Sequence, residues 1–265
     1  MPAKARIGVR KTYKLYIGGA FPRSESGRTY EVDGHNAALA SRKDARDSVL
    51  AARAAFGKWA GATAYNRGQI LYRAAEMLES RRGEFPSEDV DDAIDRLVWY
   101  AGWSDKIAQV HSSANPVAGP YFNISSPEPT GIVAIAAPSS LLGLISVLAP
   151  AIVTGNTCVI VTDAAVEAIT FAEVLATSDL PGGVVNILTG SAAEVMPWLA
   201  SHDDVNGLDL TGISDAALAV SLEQAASETL KRVLRPSAPK WTDDPGIGRM
   251  TVFLETKTVW HPKGV

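Results

Sequence analysis

The sequence predicts an α/β protein built on a parallel sheet with helices on both faces. Three observations carry that prediction. Four short runs, 131–136, 157–161, 184–188 and 207–210, are apolar almost throughout, as strands of a sheet covered on both sides are. Stretches of helical character at 141–153, 165–176, 192–200 and 214–230 alternate with them, the order of a doubly wound sheet. Small-residue turns join these elements, at Gly155-Asn156-Thr157, Pro181-Gly182-Gly183, Thr189-Gly190 and Thr211-Gly212. The pattern is Rossmann-like, and turns of this kind at strand ends suit a nucleotide-binding sheet.

The remaining elements follow along the chain. Tyr13–Ile17 alternates into Gly18-Gly19 and, with Thr29–Val32, reads as a short surface hairpin. Ser41 to Trp59 spaces Ala45, Val49, Ala52 and Phe56 by three or four residues, a helix with Ser41 as its cap. Tyr65 to Ser80 repeats the pattern with Leu71, Ala74 and Leu78. A third helix is expected from about Glu88 to Val110. Its acidic start, Glu88-Asp89 with Asp91-Asp92, reads as a solvated helix N-terminus rather than a metal site. Between His111 and Pro129, Asn115-Pro116, Gly119-Pro120 and Ser126-Pro127 exclude helix and predict an exposed arm. Pro236–Gly248 is a connector, and Met250–Trp260 a final strand that Pro262 ends. The plan is therefore a hairpin and helices at 1–110, an arm at 111–129, a sheet core at 130–235, and a connector with a terminal strand at 236–265.

Composition narrows the function. The 265 residues carry a net charge of −4, which gives no reason to expect nucleic acid or an anionic membrane as partner. No apolar run reaches the length needed to cross a bilayer. The single cysteine excludes an intrachain disulfide framework and fits a cytoplasmic setting. The four histidines lie far apart in sequence without metal-ligand spacing, and no nucleophile elbow or P-loop occurs. No metal is expected. Trp198, Trp241 and Trp260 read as packing or interface anchors.

Taken in order, several segments resemble the aldehyde dehydrogenase superfamily. Leu15-Tyr16-Ile17-Gly18-Gly19 looks like its first strand, Phe56-Gly57-Lys58-Trp59 like its first helix end, and Tyr100 to Lys106 like the helix before its oligomerisation hairpin. Glu128-Pro129-Thr130-Gly131-Ile132-Val133 resembles the entry to its first nucleotide-binding strand, and the ending from Phe253 to Pro262 its C-terminal oligomerisation strand. That ending also looks like the degenerate second copy found in some tandem members.

The resemblance carries expectations about a site. The family's oxyanion-holding Asn falls on Pro138, or on Ser140 if two residues are deleted, and neither supplies the amide. The Lys and Glu that hold the cofactor's adenosine ribose fall on Val161 and Ala164, with Thr162 and Asp163 between them. A family glycine falls on Met196, whose side chain is expected to crowd the cleft. The Thr-Gly turn that meets the pyrophosphate survives as Thr211-Gly212, with Ile213 in place of the usual hydroxyl residue. The vestigial cofactor positions are thus Pro138, Thr162, Asp163, Thr211 and Gly212, and the expected cofactor is none or a weakly held NAD(P). The catalytic domain that normally follows the turn, with its general-base Glu and nucleophilic Cys, has no counterpart. One helix is expected to lead through Lys231–Pro236 to the tail. Cys158 sits in an apolar strand and reads as a core thiol, so no catalytic residue is assigned.

The leading expectation is a non-catalytic, pseudoenzyme-like subunit. It would form a homo-oligomer, or a hetero-oligomer with a complete aldehyde dehydrogenase, through arm and tail. The alternatives are an NAD(P)-dependent oxidoreductase acting on an aldehyde with residues from a partner, and a nucleotide-binding regulator.

Overall fold

The computed structural model describes residues 7–264; the basic segment 1–6 and Val265 lie outside the described residues. In the N-terminal region, strand β1 (Thr12–Tyr13) runs parallel to β3 (His35–Ala38), which pairs antiparallel with β2 (Thr29–Val32). The hairpin is therefore 29–38, not Tyr13–Ile17 with Thr29–Val32. Its two-residue turn, Asp33-Gly34, has φ of 49° and 73°, the left-handed pair that matches strand twist. Residue 16 instead exchanges two backbone hydrogen bonds with Ile187, at 3.0 and 2.7 Å, and so docks the N-terminal segment on the edge of the main sheet.

Helix α1 (Arg42–Ala60) begins at Ser41, whose hydroxyl accepts from the Asp44 amide while the Asp44 carboxylate accepts from the Ser41 amide. This reciprocal arrangement satisfies two otherwise orphaned donors. Helix α2 (Ala64–Ser80) follows after the Thr63 cap. The single helix expected at 88–110 is two, α3 (Val90–Trp103) and α4 (Ile107–His111). At the break the Ser104 amide turns back to the Ala101 carbonyl, and Ser104 packs so tightly on Gly68 of α2 that no Cβ would fit there. The arm strands β4 (Ser113–Asn115) and β5 (Tyr121–Pro129) come next.

The core alternates β6 (Ile132–Ala136), α5 (Leu141–Val153), β7 (Thr157–Thr162), α6 (Ala165–Ala176), β8 (Val185–Thr189), α7 (Ala192–Ala200), β9 (Gly207–Asp209) and α8 (Ala216–Ser227). A fifth core strand, β10 (Arg232–Leu234), lies where a helical run toward the tail was expected, and pairs parallel with β9. Helix α9 (Gly248–Val252) then turns the chain into β11 (Leu254–Pro262), so the terminal strand begins four residues later than its alternation suggests. The core sheet is parallel in the order β10-β9-β6-β7-β8. Its strands send alternate residues into two cores. Val133, Ile135, Cys158 and Ile160 pack with α2, α3, α5 and α6, whereas Ile132, Ala134, Val159 and Val161 pack with α1, α7 and α8.

The arm forms a separate antiparallel sheet, β11-β5-β4. Asn156, fully buried, joins it to the core. Its amide oxygen accepts from the Gly131 amide at 3.0 Å, and its nitrogen donates to the carbonyls of Ala151 and, at 3.0 Å, Phe253.

Candidate functional site

A cleft of about 400 Å³ opens over the carboxyl ends of β6, β7 and β8, lined by Tyr30, Ser139, Thr162, Asp163, Ser191 and Gly212 with small apolar neighbours. The reversal of strand order at β6, between β9 and β7, makes this end of the sheet the place where doubly wound proteins bind ligands.

Each strand delivers its residue for a local reason. Thr162 ends β7 buried, its hydroxyl accepting from the Ala164 amide at 3.2 Å. One residue on, Asp163 emerges into solvent. The Ser139 hydroxyl donates to its carboxylate at 3.1 Å, and the Tyr30 phenol donates to its carbonyl at 3.1 Å. The cleft mouth is thus pinned by the β6–α5 loop and by the N-terminal hairpin together. Burial, and then the charge of Asp163, push the Tyr30 pKa up to about 12, so the phenol stays a hydrogen-bond donor at neutral pH. Tyr30 was not among the residues singled out from sequence. Its element was recognised, but nothing local indicates that β2 reaches the cleft.

The Thr211-Gly212 turn divides. Gly212 lines the cleft, and a Cβ there would lie 2.5 Å from the Ala137 carbonyl oxygen, so close backbone approach requires glycine. Thr211 turns away. Its amide donates to Asp209 at 2.9 Å, and its hydroxyl also bonds Asp209 while accepting from Arg249 at 3.0 Å. The Gly212 amide donates to Ala136 and the Ile213 amide to Leu210, both at 2.9 Å. All three amides of the turn are committed inside the protein. Asp209 is nearly completely buried and is neutralised by Arg249 at 3.0 Å.

Pro138 stands in the β6–α5 loop outside the cleft lining, and Ser140 caps α5 by accepting from the Gly143 amide at 3.0 Å. Met196 does not crowd the cleft: it is fully buried in the core beneath α7, with Val195 and Leu199. Cys158 is buried in β7, and burial together with the nearby Asp209 carboxylate pushes its thiol well above the ordinary range. A thiol so held is not poised as a thiolate nucleophile. Among the described residues no group of three His, Cys, Asp or Glu is arranged to hold a metal ion, and no helix is long and apolar enough to cross a membrane.

Comparison with known proteins supplies the lineage. The aldehyde dehydrogenase family model matches residues 31–235. The chain is 31% identical over 258 residues to cytosolic 10-formyltetrahydrofolate dehydrogenase of Pongo abelii, covering 85% of this chain and 28% of the relative. It is 29% identical over 252 residues to the putative aldehyde dehydrogenase DhaS of Bacillus subtilis, covering 84% and 50%. Among solved structures, HpcC from Thermus thermophilus superimposes with a TM-score of 0.77 at 26% identity, over 84% of this chain and 47% of that one. The NAD+ complex of an aldehyde dehydrogenase from Bacillus cereus, 23% identical, shares the fold with a TM-score of 0.74, over 84% and 50%. The chain thus spans half the length, or less, of these relatives. With a parallel core sheet of that fold and a match over most of its length, the chain belongs to the aldehyde dehydrogenase family.

Proposed function

We propose that this chain is a non-catalytic member of the family that acts as a subunit, assembling with a second copy of itself or with a complete aldehyde dehydrogenase. The observation that carries this reading is the apolar face of the arm. Phe122, Ile124 and Val259 share one face of the β5–β11 pair and are 56, 51 and 48% exposed. The opposite face carries an internal polar network, in which Asn115 bonds Asn123 and Ser125 and Ser125 bonds Thr258, beside the exposed rings of Tyr121 and Trp260. An exposed apolar sheet face with open edges is a template for association. The buried state of Cys158, the only cysteine in the sequence, supports the non-catalytic part of the reading. The single cysteine and a cytosolic relative support a cytoplasmic setting.

Light scattering on the purified chain, alone and mixed with a complete aldehyde dehydrogenase, tests the proposal. The expected result is a dimer or larger species that the double variant Phe122→Ser/Ile124→Ser disperses. A monomer under both conditions removes the reading. The open cleft favours a second one, an NAD(P)-dependent oxidoreductase acting on an aldehyde with residues lent by a partner. Aldehyde-dependent reduction of NAD by the purified chain or its complex would support that reading; a nucleotide-binding regulator would bind without turnover.

A further inference from the structure

The cofactor implied by the family, NAD(P), has two halves, and the residues here fit only one. A carboxylate at the end of the second core strand, such as Asp163, is placed to accept hydrogen bonds from a ribose diol, and Ser139 and Tyr30 stand beside it. The slot between them is lined by Leu39, Val161 and Ala192, apolar walls suited to a planar base. Its volume, about 400 Å³, lies at the lower end of small-molecule sites.

The phosphate half does not fit. A bound phosphate needs helix N-termini, free amides or cations. Among the described residues lining the cleft there is no Lys or Arg, and the one charged group is Asp163. The amides of Thr211, Gly212 and Ile213 are already donated. Helix α5 receives the Asp89 carboxylate on its Leu142 amide at 3.1 Å. Helix α8 is capped by Asp215, which accepts from Ala217 at 2.8 Å and Leu218 at 3.3 Å. Helix α7 has no side-chain cap but carries Glu194 in its first turn. The ends of α5 and α8 therefore hold a carboxylate on the amides where a pyrophosphate would draw its stabilisation, and α7 places one within its first turn.

We propose that the cleft binds an uncharged nucleoside, with Asp163 on the ribose diol, and that the carboxylates Asp163, Asp89, Asp215 and Glu194 disfavour its phosphorylated forms. The site reads the sugar and base and excludes the phosphate, the reverse of a dinucleotide site. This inference stands apart from assembly through the arm, because ligand affinity is measured whatever the oligomeric state.

Calorimetry of the full chain with adenosine, adenosine 5′-monophosphate and NAD tests it. Adenosine is expected to bind most tightly, with the monophosphate and NAD weaker. The variant Asp215→Asn keeps a good helix cap while removing the charge, and is expected to improve monophosphate affinity relative to adenosine by about two- to fivefold. Asp163→Asn is expected to weaken adenosine and narrow the same gap further, with its thermal melt reporting that the fold is kept. Tighter binding of NAD or the monophosphate than of adenosine would overturn the proposal. So would the absence of binding by all three, or a ratio that neither variant moves.

Discussion

The molecule contains two sheets that solve the same problem in opposite ways. The core sheet buries both faces, and every residue of β6, β7 and β8 is buried. The arm sheet buries almost nothing: eight of the nine residues of β11 are exposed, with Val259 on one face and Trp260 on the other. The same β-branched side chains, isoleucine and valine, serve folding in one sheet and a surface in the other. What separates them is the supply of covering helices: α1, α5, α6, α7 and α8 pack on the core, whereas the arm has the short α4 against β5.

The comparison can be strained first at its most expensive point. Asp209 ends a core strand with its charge buried, and Arg249 neutralises it from beyond the connector. Arg249→Ala is expected to lower unfolding free energy by about 3–5 kcal/mol, because it leaves an uncompensated buried charge. Arg249→Ala/Asp209→Asn should recover part of that loss in a urea titration. An unchanged midpoint in the single variant would show that the core does not depend on its C-terminal partner.

A smaller and more direct test sets one isoleucine against another. Ile135→Val in β6 removes a methylene from a fully buried site and is expected to cost about 0.5–1.5 kcal/mol. Ile124→Val on the arm should leave the stability of the separated chain unchanged while weakening any association seen by light scattering. Equal losses of stability in both variants would erase the distinction between the two sheets.

The smallest effect belongs to the link between them. Arg232 of β10 donates two hydrogen bonds to Glu255 of β11, at 2.6 and 2.7 Å. The Arg232 hydrogen bond is the main cause holding the Glu255 carboxyl below its ordinary range. A depressed carboxyl contributes stability above its unfolded pKa, and that contribution is lost as pH falls through the folded value. Both side chains are substantially exposed, so Glu255→Gln should cost less than about 1 kcal/mol at neutral pH. The gap to the parent should close on acidification through the carboxylate range, followed by thermal melts.

Legibility in the sequence tracked how local each determinant is. Helices α5, α6 and α7 begin and end where their patterns do, because burial period and flanking turns lie within a few residues. Strand β10 was missed because three residues, two of them only half-buried, carry no period and sit between a helix and Pro236. The β2–β3 hairpin was missed although Asp33-Gly34 is a strong turn signal, since His35–Ala38 has little strand character of its own. At the site, Thr162, Asp163 and Gly212 were legible because they follow strand ends. The commitments of Thr211 to Arg249 and of Tyr30 to Asp163 span 38 and 133 residues and leave no local trace. Met196 was misplaced because a sequence position says nothing of the direction in which a helix turns its side chain.

The buried amide of Asn156 has a consequence for how such a chain meets a partner. By grasping the start of β6 and the residue just before β11 at once, it removes the swivel that an appended ribbon would otherwise have. A protein seated on the outward-facing phenylalanine and isoleucine would thereby acquire a set bearing relative to the ligand cleft. Docking and orientation would then become a single event, set by this carboxamide together with the Arg232–Glu255 pair.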